Sequence, residues 1–435
     1  MKRKVIYSSI IILCFIYSSV FAQTIAISEI HYNADSTLQS QDWVEIYNYG
    51  AATVDIGLWK LRDETPFNSY TIPSGTTLAG GEFLVLAQRL DTFLMIYPGV
   101  SNVIGPFEFG LDNGGGSVKL YNASTVIEAQ VNYLDSLPWP NAADGLGPTL
   151  EIFDYEGDEN NPANWFAGCV GGSPGEVFTT CDYDIIVSEI NYNSEASFSM
   201  GNWIEIWNHS PSTIDVSNWK FRDNNIANTY TIPGGNVLSP DERLVICDSL
   251  EAMSTLFPGL TNVVGEFNFG LSNNGDGIRL YNAEDILQYS VRYNDDAPWP
   301  VDADGLGYTI ENYIENGNPN DPATWVSGCP HGSPGGELIL PCPVDVEEII
   351  DITSITYQPN PFTETISFHF DADLPLLKRL YIINISGVYI SDLAISQTSM
   401  WDGKDKNGIV VPAGIYLLQI EDDGGSVTTK KIIKI

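Results

Sequence analysis

The sequence predicts an all-β chain: two copies of one sandwich domain in tandem, followed by a small C-terminal β-sandwich. Three observations carry this expectation. The chain repeats itself at a shift of 160 residues, from Ile27-Ser28-Glu29-Ile30 against Val187-Ser188-Glu189-Ile190 to Gly172-Ser173-Pro174-Gly175 against Gly332-Ser333-Pro334-Gly335. Segments such as Trp43-Val44-Glu45-Ile46-Tyr47 and Trp203-Ile204-Glu205-Ile206-Trp207 alternate with period two, the mark of half-buried strands. Clusters among 39 Gly and 25 Pro, with Asn and Asp, interrupt the strands at sandwich-like intervals.

Taken in chain order, Lys2, Arg3 and Lys4 precede an uncharged run from Val5 to Val20, and Val20-Phe21-Ala22 offers small residues at −3 and −1. Residues 1–22 are therefore expected to be a signal peptide, cleaved between Ala22 and Gln23. No later apolar run is long enough to span a bilayer, so no transmembrane segment is expected after cleavage.

The first module is placed at 23–181 and the second at 182–342. About 66 of the 151 positions from 25 to 175 are identical in the second copy. Such a repeat is a whole domain rather than one unit of a solenoid. Leu90 to Tyr97 and Leu250 to Phe257 are the places where a short helix is expected. Residues 343–352 read as an acidic linker, and 353–435 as the small sandwich, which holds 7 of the 16 Lys and Arg left after signal removal.

The modules resemble the lamin-tail domain through I-S-E-I-x-Y-N, the D/N-W-V/I-E-I-x-N strand, W-K-x-R-D, Y-T-I-P and L-Y-N, in that order in both copies. The resemblance implies an immunoglobulin-like sandwich that binds or tethers, often beside surface enzymes whose chemistry it does not perform. The last domain resembles the type A sorting domain of type IX secretion. Its landmarks are Gln358-Pro359-Asn360-Pro361-Phe362, Ile385-Ser386-Gly387, Trp401-Asp402-Gly403-Lys404-Asp405, Pro412-Ala413-Gly414-Ile415-Tyr416 and Lys430-Lys431-Ile432-Ile433-Lys434-Ile435. That resemblance implies handling by the type IX machinery: export across the inner membrane, then secretion or display on the outer-membrane surface.

Charge excludes several functions. With 19 Lys+Arg against 56 Asp+Glu the net charge is −37, so a nucleic-acid partner, which needs a basic face, is not expected. Four cysteines stand at matching module ends, and repeat symmetry selects the disulfides Cys169–Cys181 and Cys329–Cys342, in keeping with export. Cys247 aligns with Ala87 and reads as a buried small hydrophobe.

No catalytic motif emerges. His31 aligns with Asn191, His209 with Tyr49 and His331 with Gly171, so the copies share no histidine, and His369 lies in the last domain. Gly171-Gly172-Ser173-Pro174-Gly175 fits G-x-S-x-G, but Pro174 stands where a nucleophile elbow enters a helix, and a turn closing the module is expected instead. Calcium is the one cofactor considered; Asp-rich turns offer oxygens, though Lys404 and Lys406 break the Asp402 to Gly408 string. Eight tryptophans form four repeat pairs expected in the core, with one exception: Pro-Trp-Pro around Trp139 and Trp299 predicts exposed rings that could serve as a ligand platform.

The expected function is a non-enzymatic, secreted or surface-displayed binding protein with an extracellular protein or glycan ligand. A surface hydrolase, or an accessory subunit of a secreted hydrolase or nuclease, with carboxylates on module loops is the alternative. A calcium-dependent structural surface protein is the third reading.

Overall fold

The computed structural model describes residues 24–38, 40–196, 198, 200–342, 355–370, 377–422 and 427–435. The signal segment with its Ala22–Gln23 junction and the acidic linker 343–352 lie outside the described residues.

Module one contains β1 (Ile25–His31), β2 (Trp43–Asn48), β3 (Val54–Asp55), β4 (Lys60–Arg62), β5 (Ser69–Thr71), β6 (Thr77–Leu78), β7 (Phe83–Ala87), α1 (Leu90–Ile96), β8 (Val103–Ile104), β9 (Gly115–Tyr121), β10 (Ile127–Leu134), β11 (Pro148–Ile152) and β12 (Trp165–Val170). A six-stranded sheet in the order β12-β11-β1-β2-β7-β8 faces a four-stranded sheet, β10-β9-β4-β5, and β3 pairs with β6 in a ribbon. Only the β7–β8 pairing in the large sheet is parallel. Inward-pointing Ile27, Ile30, Val44, Ile46, Leu84 and Leu86 from the large sheet meet Leu61, Val118, Leu120 and Val131 from the small one. This sandwich core follows from period-two alternation, which sends every second residue inward.

Module two repeats the plan as β13 (Ile185–Asn191), β14 (Trp203–Asn208), β15 (Ile214–Asp215), β16 (Lys220–Arg222), β17 (Thr229–Thr231), β18 (Val237–Leu238), β19 (Arg243–Cys247), α2 (Leu250–Leu256), β20 (Val263–Gly265), β21 (Asp276–Tyr281), β22 (Leu287–Tyr293), β23 (Tyr308–Asn312) and β24 (Trp325–Pro330). Its sheets have the same orders, β20-β19-β14-β13-β23-β24 and β17-β16-β21-β22. The short helices stand where the sequence placed them. Each drops an apolar side chain, Phe93 or Met253, onto the outer face of the large sheet, against Trp43 or Trp203. Cys247 is buried in the second of these clusters, as expected, and burial pushes its thiol up to about 11.

The C-terminal domain is a smaller sandwich of β25 (Ile355–Gln358), β26 (Ile366–Phe370), β27 (Leu377–Asn384), β28 (Tyr389–Asp392), β29 (Thr398–Trp401), β30 (Gly414–Asp422) and β31 (Val427–Lys434), arranged as β25-β26-β29 and β28-β27-β30-β31. Its sequence landmarks converge. Phe362 and Tyr416 pack on Trp401 with ring centroids 5.4 and 5.1 Å away. The backbone of Phe362 exchanges hydrogen bonds with the last strand, receiving from Ile435 and donating to Ile433, each at 2.9 Å.

The pairings Cys169–Cys181 and Cys329–Cys342 are formed, with Cα atoms 5.5 and 5.1 Å apart. The Pro-Trp-Pro expectation is corrected. Trp139 is 4% and Trp299 7% exposed, and each lies in its module's core about 6 Å from Trp165 or Trp325. The prolines do remove ladder donors. The chain responds by turning, with Trp139 N–H donating to Ser136 O at 3.1 Å, and the turn drives the ring inward instead of presenting it.

The modules touch directly. The loop after β1 carries Asp35, Thr37 and Leu38 onto β21 and β22, where Asp35 meets Arg279 and Tyr281 and Leu38 packs on Tyr281 and Leu287. Asn318 also donates to Ala167 O across the junction, at 2.5 Å.

Candidate functional site

The outer face of each large sheet carries a row of three buried glutamates. In module one, antiparallel register sets Glu29 of β1 opposite Glu151 of β11 on one side and Glu45 of β2 on the other. Strand alternation alone would give one outward residue at this point of β1. A β-bulge between Ile27 and Glu29 instead leaves Ser28 unpaired, and its hydroxyl donates to Glu45 Oε1 at 2.7 Å.

A strap formed by Gly171-Gly172-Ser173-Pro174-Gly175 closes over the row. The Ser173 N–H donates to Glu29 Oε1 at 3.0 Å and its hydroxyl to Glu151 Oε2 at 2.7 Å, while Gly175 N–H reaches Glu45 Oε2 at 2.5 Å. Thr149 donates its hydroxyl to Glu29 Oε1 at 2.5 Å. Gly172 has φ +75°, and a Cβ there would lie 2.0 Å from Glu29 Oε1, so only glycine lets the strap come this close. The Cys169–Cys181 bridge ties down the chain on both sides of the strap. The G-x-S-x-G string is thus a carboxylate-binding turn, and its serine is committed to Glu29 and Glu151.

Module two builds the same device from Glu189, Glu205 and Glu311. Ser333 contacts Glu189 at 2.9 Å and Glu311 at 2.8 Å, Gly335 contacts Glu205 at 2.5 Å, and Thr309 contacts Glu189 at 2.6 Å. Among the described residues, one oxygen of each central residue, Oε2 of Glu29 and of Glu189, is buried with no hydrogen-bond partner.

Packing carboxylates side by side away from water disfavours their charge. Burial, reinforced by Glu151 and Glu45, holds Glu29 well above the carboxylate range, and burial with Glu311 and Glu205 does the same to Glu189. Burial pushes Glu45 up to about 8, and Glu151 and Glu205 up to about 7.

The two rows differ at one neighbouring position. In module two, Arg243 of β19 stands across from Trp207, with its guanidinium 4.4 Å from the Trp207 ring centroid and its Nε 3.2 Å from Glu205 Oε1. In module one that position is Phe83, which stacks on Tyr47 at 4.1 Å. Glu29, Glu45 and Glu151 have no ion pair among the described residues. Beside them opens a cleft of about 160 Å³ whose walls include Phe83, Tyr155, Phe166 and Phe178.

The lamin tail domain family matches residues 21–135 and again 181–295, more than half of the chain. The chain belongs to that family. The secretion system C-terminal sorting domain matches residues 357–434, so the tandem lamin tail domains carry a type IX sorting domain behind them. Both lamin tail matches stop short of Glu151, Glu311 and the straps.

Among solved structures, the chain is similar to dimeric latent PorU from Porphyromonas gingivalis. The identity is 12%, covering 95% of this chain and 34% of that one, with a TM-score of 0.17. It is also similar to PorZ, described as an essential bacterial surface component of the type-IX secretion system of the same organism. There the identity is 9%, covering 94% of this chain and 51% of that one, with a TM-score of 0.18. The chain thus spans about a third of the first protein and half of the second. No curated protein matches it.

Sequence reasoning found the cysteines and the strap but missed the glutamate rows, although all six glutamates recur at the 160-residue shift. The signal was available: acids kept at strand positions in both copies, in strands otherwise apolar. Among the described residues, no group of three His, Cys, Asp or Glu is arranged to hold a metal ion, and no helix is long and apolar enough to cross a membrane.

Proposed function

We propose that this protein is a non-enzymatic binding or tethering protein of the bacterial outer surface, with its two lamin tail domains as the binding body and its last domain as the export address. The sorting domain carries the reading, since it implies delivery to the outer membrane or cell surface. The extracellular ligand is a protein or a glycan.

The hydrolase alternative has less support. It needs carboxylates on accessible module loops, whereas the perturbed glutamates stand on strands, and the straps hold one oxygen of each. A general acid must reach its substrate, and these side chains are almost fully buried.

Truncating the chain after Cys342 is expected to leave both modules, folded and disulfide-bonded, in the periplasm. Attaching residues 343–435 to an exported reporter is expected to bring the reporter to the cell surface, read by protease accessibility on intact cells. Surface display of the truncated chain would overturn the assignment.

A further inference from the structure

The contact between the modules has two unlike halves. Module one contributes an edge, formed by Asp35 and Leu38 of the loop after β1 and by Leu146 from the turn before β11. Module two contributes a face on β21 and β22, with Arg279, Tyr281 and Leu287. The contact buries Leu146 and Leu287, each 4% exposed. A Cβ at Gly277 of the face would lie 2.9 Å from Leu146 Cδ1.

Because the modules are copies, each half occurs twice, and one example of each is left uncovered by this contact. Lys119, Tyr121 and Ile127 of module one align with Arg279, Tyr281 and Leu287. Strand register sets Lys119 beside Arg62 and Tyr121 beside Lys60, just as it sets Arg279 beside Arg222 and Tyr281 beside Lys220. At the other end, Glu195, Phe198 and Leu306 of module two align with Asp35, Leu38 and Leu146. The two loops make the same turn: Leu38 N–H donates to Asp35 O at 2.9 Å, and Phe198 N–H to Glu195 O at 3.0 Å. Ile127 is 45% and Leu306 61% exposed, where their counterparts are buried. Every exchange keeps its chemical class: acid for acid, cation for cation, apolar for apolar. Charge complementarity is stronger at the open face. Asp285 pairs with Lys220 and Arg222 in module two, but module one has Thr125 there. Among the described residues, Lys60, Arg62 and Lys119 therefore have no ion pair.

We propose that the open face of module one binds the module-two edge of a second copy of this chain, repeating between molecules the contact made between modules. Glu195 meets Lys119 and Tyr121, and Phe198 and Leu306 pack beside Ile127. A Cβ at Gly307 would lie 2.9 Å from Glu195 Oε2, whereas at the matching Gly147 it would meet Leu287 of the docked module. Docking therefore swings Glu195 toward Lys119 as Ile127 takes the space over Gly307. Ser117 stands in the place of Gly277, so Leu306 rotates its flexible end past one extra Cβ. Since the two halves are different surfaces, the association runs head to tail, extending as a chain unless it closes into a ring.

This inference goes beyond the binding and export assignments, and the purified protein from Gln23 onward tests it without either. Sedimentation velocity from roughly 5 to 200 μM is expected to show association that grows with concentration, with Kd on the order of 0.1 mM. The contact between copies lacks the high local concentration that the tether gives the contact within one chain, which keeps it weak. Lys119→Glu and Glu195→Lys each set like charges against one another and are expected to weaken association at least about fivefold. The double variant, which reverses the pair, and an equimolar mixture of the two single variants are both expected to recover it. Ile127→Glu, at an exposed position, places a second acid beside Glu195 and is expected to weaken association as well. It keeps the test open if a charge variant does not fold, which circular dichroism reads. A monomer at every concentration, folded single variants that associate like the parent, or a double variant no better than the singles would overturn the proposal.

Discussion

Arg279→Met is expected to split the melting of the two modules and to lower stability by about 3–5 kcal/mol, the usual cost of leaving one member of a buried ion pair alone. Asp35 and Arg279 are 2% and 3% exposed. Asp35 Oδ2 accepts from Arg279 Nη1 at 3.2 Å and from Tyr281 Oη at 2.6 Å, while its Oδ1 accepts from the backbone and hydroxyl of Thr37 at 2.9 and 2.8 Å. Arg279 also donates to Asp223 O at 2.5 Å. Methionine removes every guanidinium contact and strands the Asp35 carboxylate between two domains. The double variant Asp35→Ala, Arg279→Met should recover much of the loss, because a neutral, apolar contact can replace a buried pair. Differential scanning calorimetry reads both effects. An unchanged single transition in Arg279→Met would show that this contact does not couple the modules.

Raising the pH from 5 to 8.5 is expected to lower the melting temperature of the modules, on the order of 5 °C or more. The sign follows from the glutamate rows. Their folded values, about 8 for Glu45 and about 7 for Glu151 and Glu205, lie above the ordinary 4.5. A carboxyl whose value is raised by folding holds its proton more tightly in the folded state. Its contribution is complete below the unfolded value and is lost as pH rises through the folded one. The window is therefore pH 4.5 to 8, and Glu29 and Glu189, raised further by burial among like charges, extend it upward. Glu45→Gln should flatten part of the slope in module one, because a neutral amide needs no proton. A melting temperature that is constant or rising across this range would contradict the assignment of protonated, strap-held glutamates.

What was legible in the sequence follows from where the copies agree and where they differ. Alternation, glycine turns and the 160-residue repeat identify both sandwiches, the helices at Leu90 and Leu250, and both disulfides. These depend on local patterning or on symmetry. Trp139 was misread because flanking prolines describe the backbone, whereas the direction of the ring is decided by the turn and by the vacancy between the sheets. The glutamate rows were hidden because identity between copies does not say which strands are neighbours; β1 and β11 lie side by side though 120 residues apart, as Thr149 and Glu29 show. The module junction and the module-one cleft lie at positions where the repeat breaks: Asp35 against Glu195, Arg279 against Lys119, Phe83 against Arg243. Such substitutions look like drift until the fold places them against one another.

The central claim is that two lamin tail domains are delivered to the outer surface by the domain behind them, and the intact mass of the protein recovered from the cell surface, medium and periplasm tests it most directly. The account predicts a surface or released species that begins at Gln23, contains both disulfides and has lost the segment after about residue 343. A full-length species from Gln23 to Ile435 confined to the periplasm would contradict it.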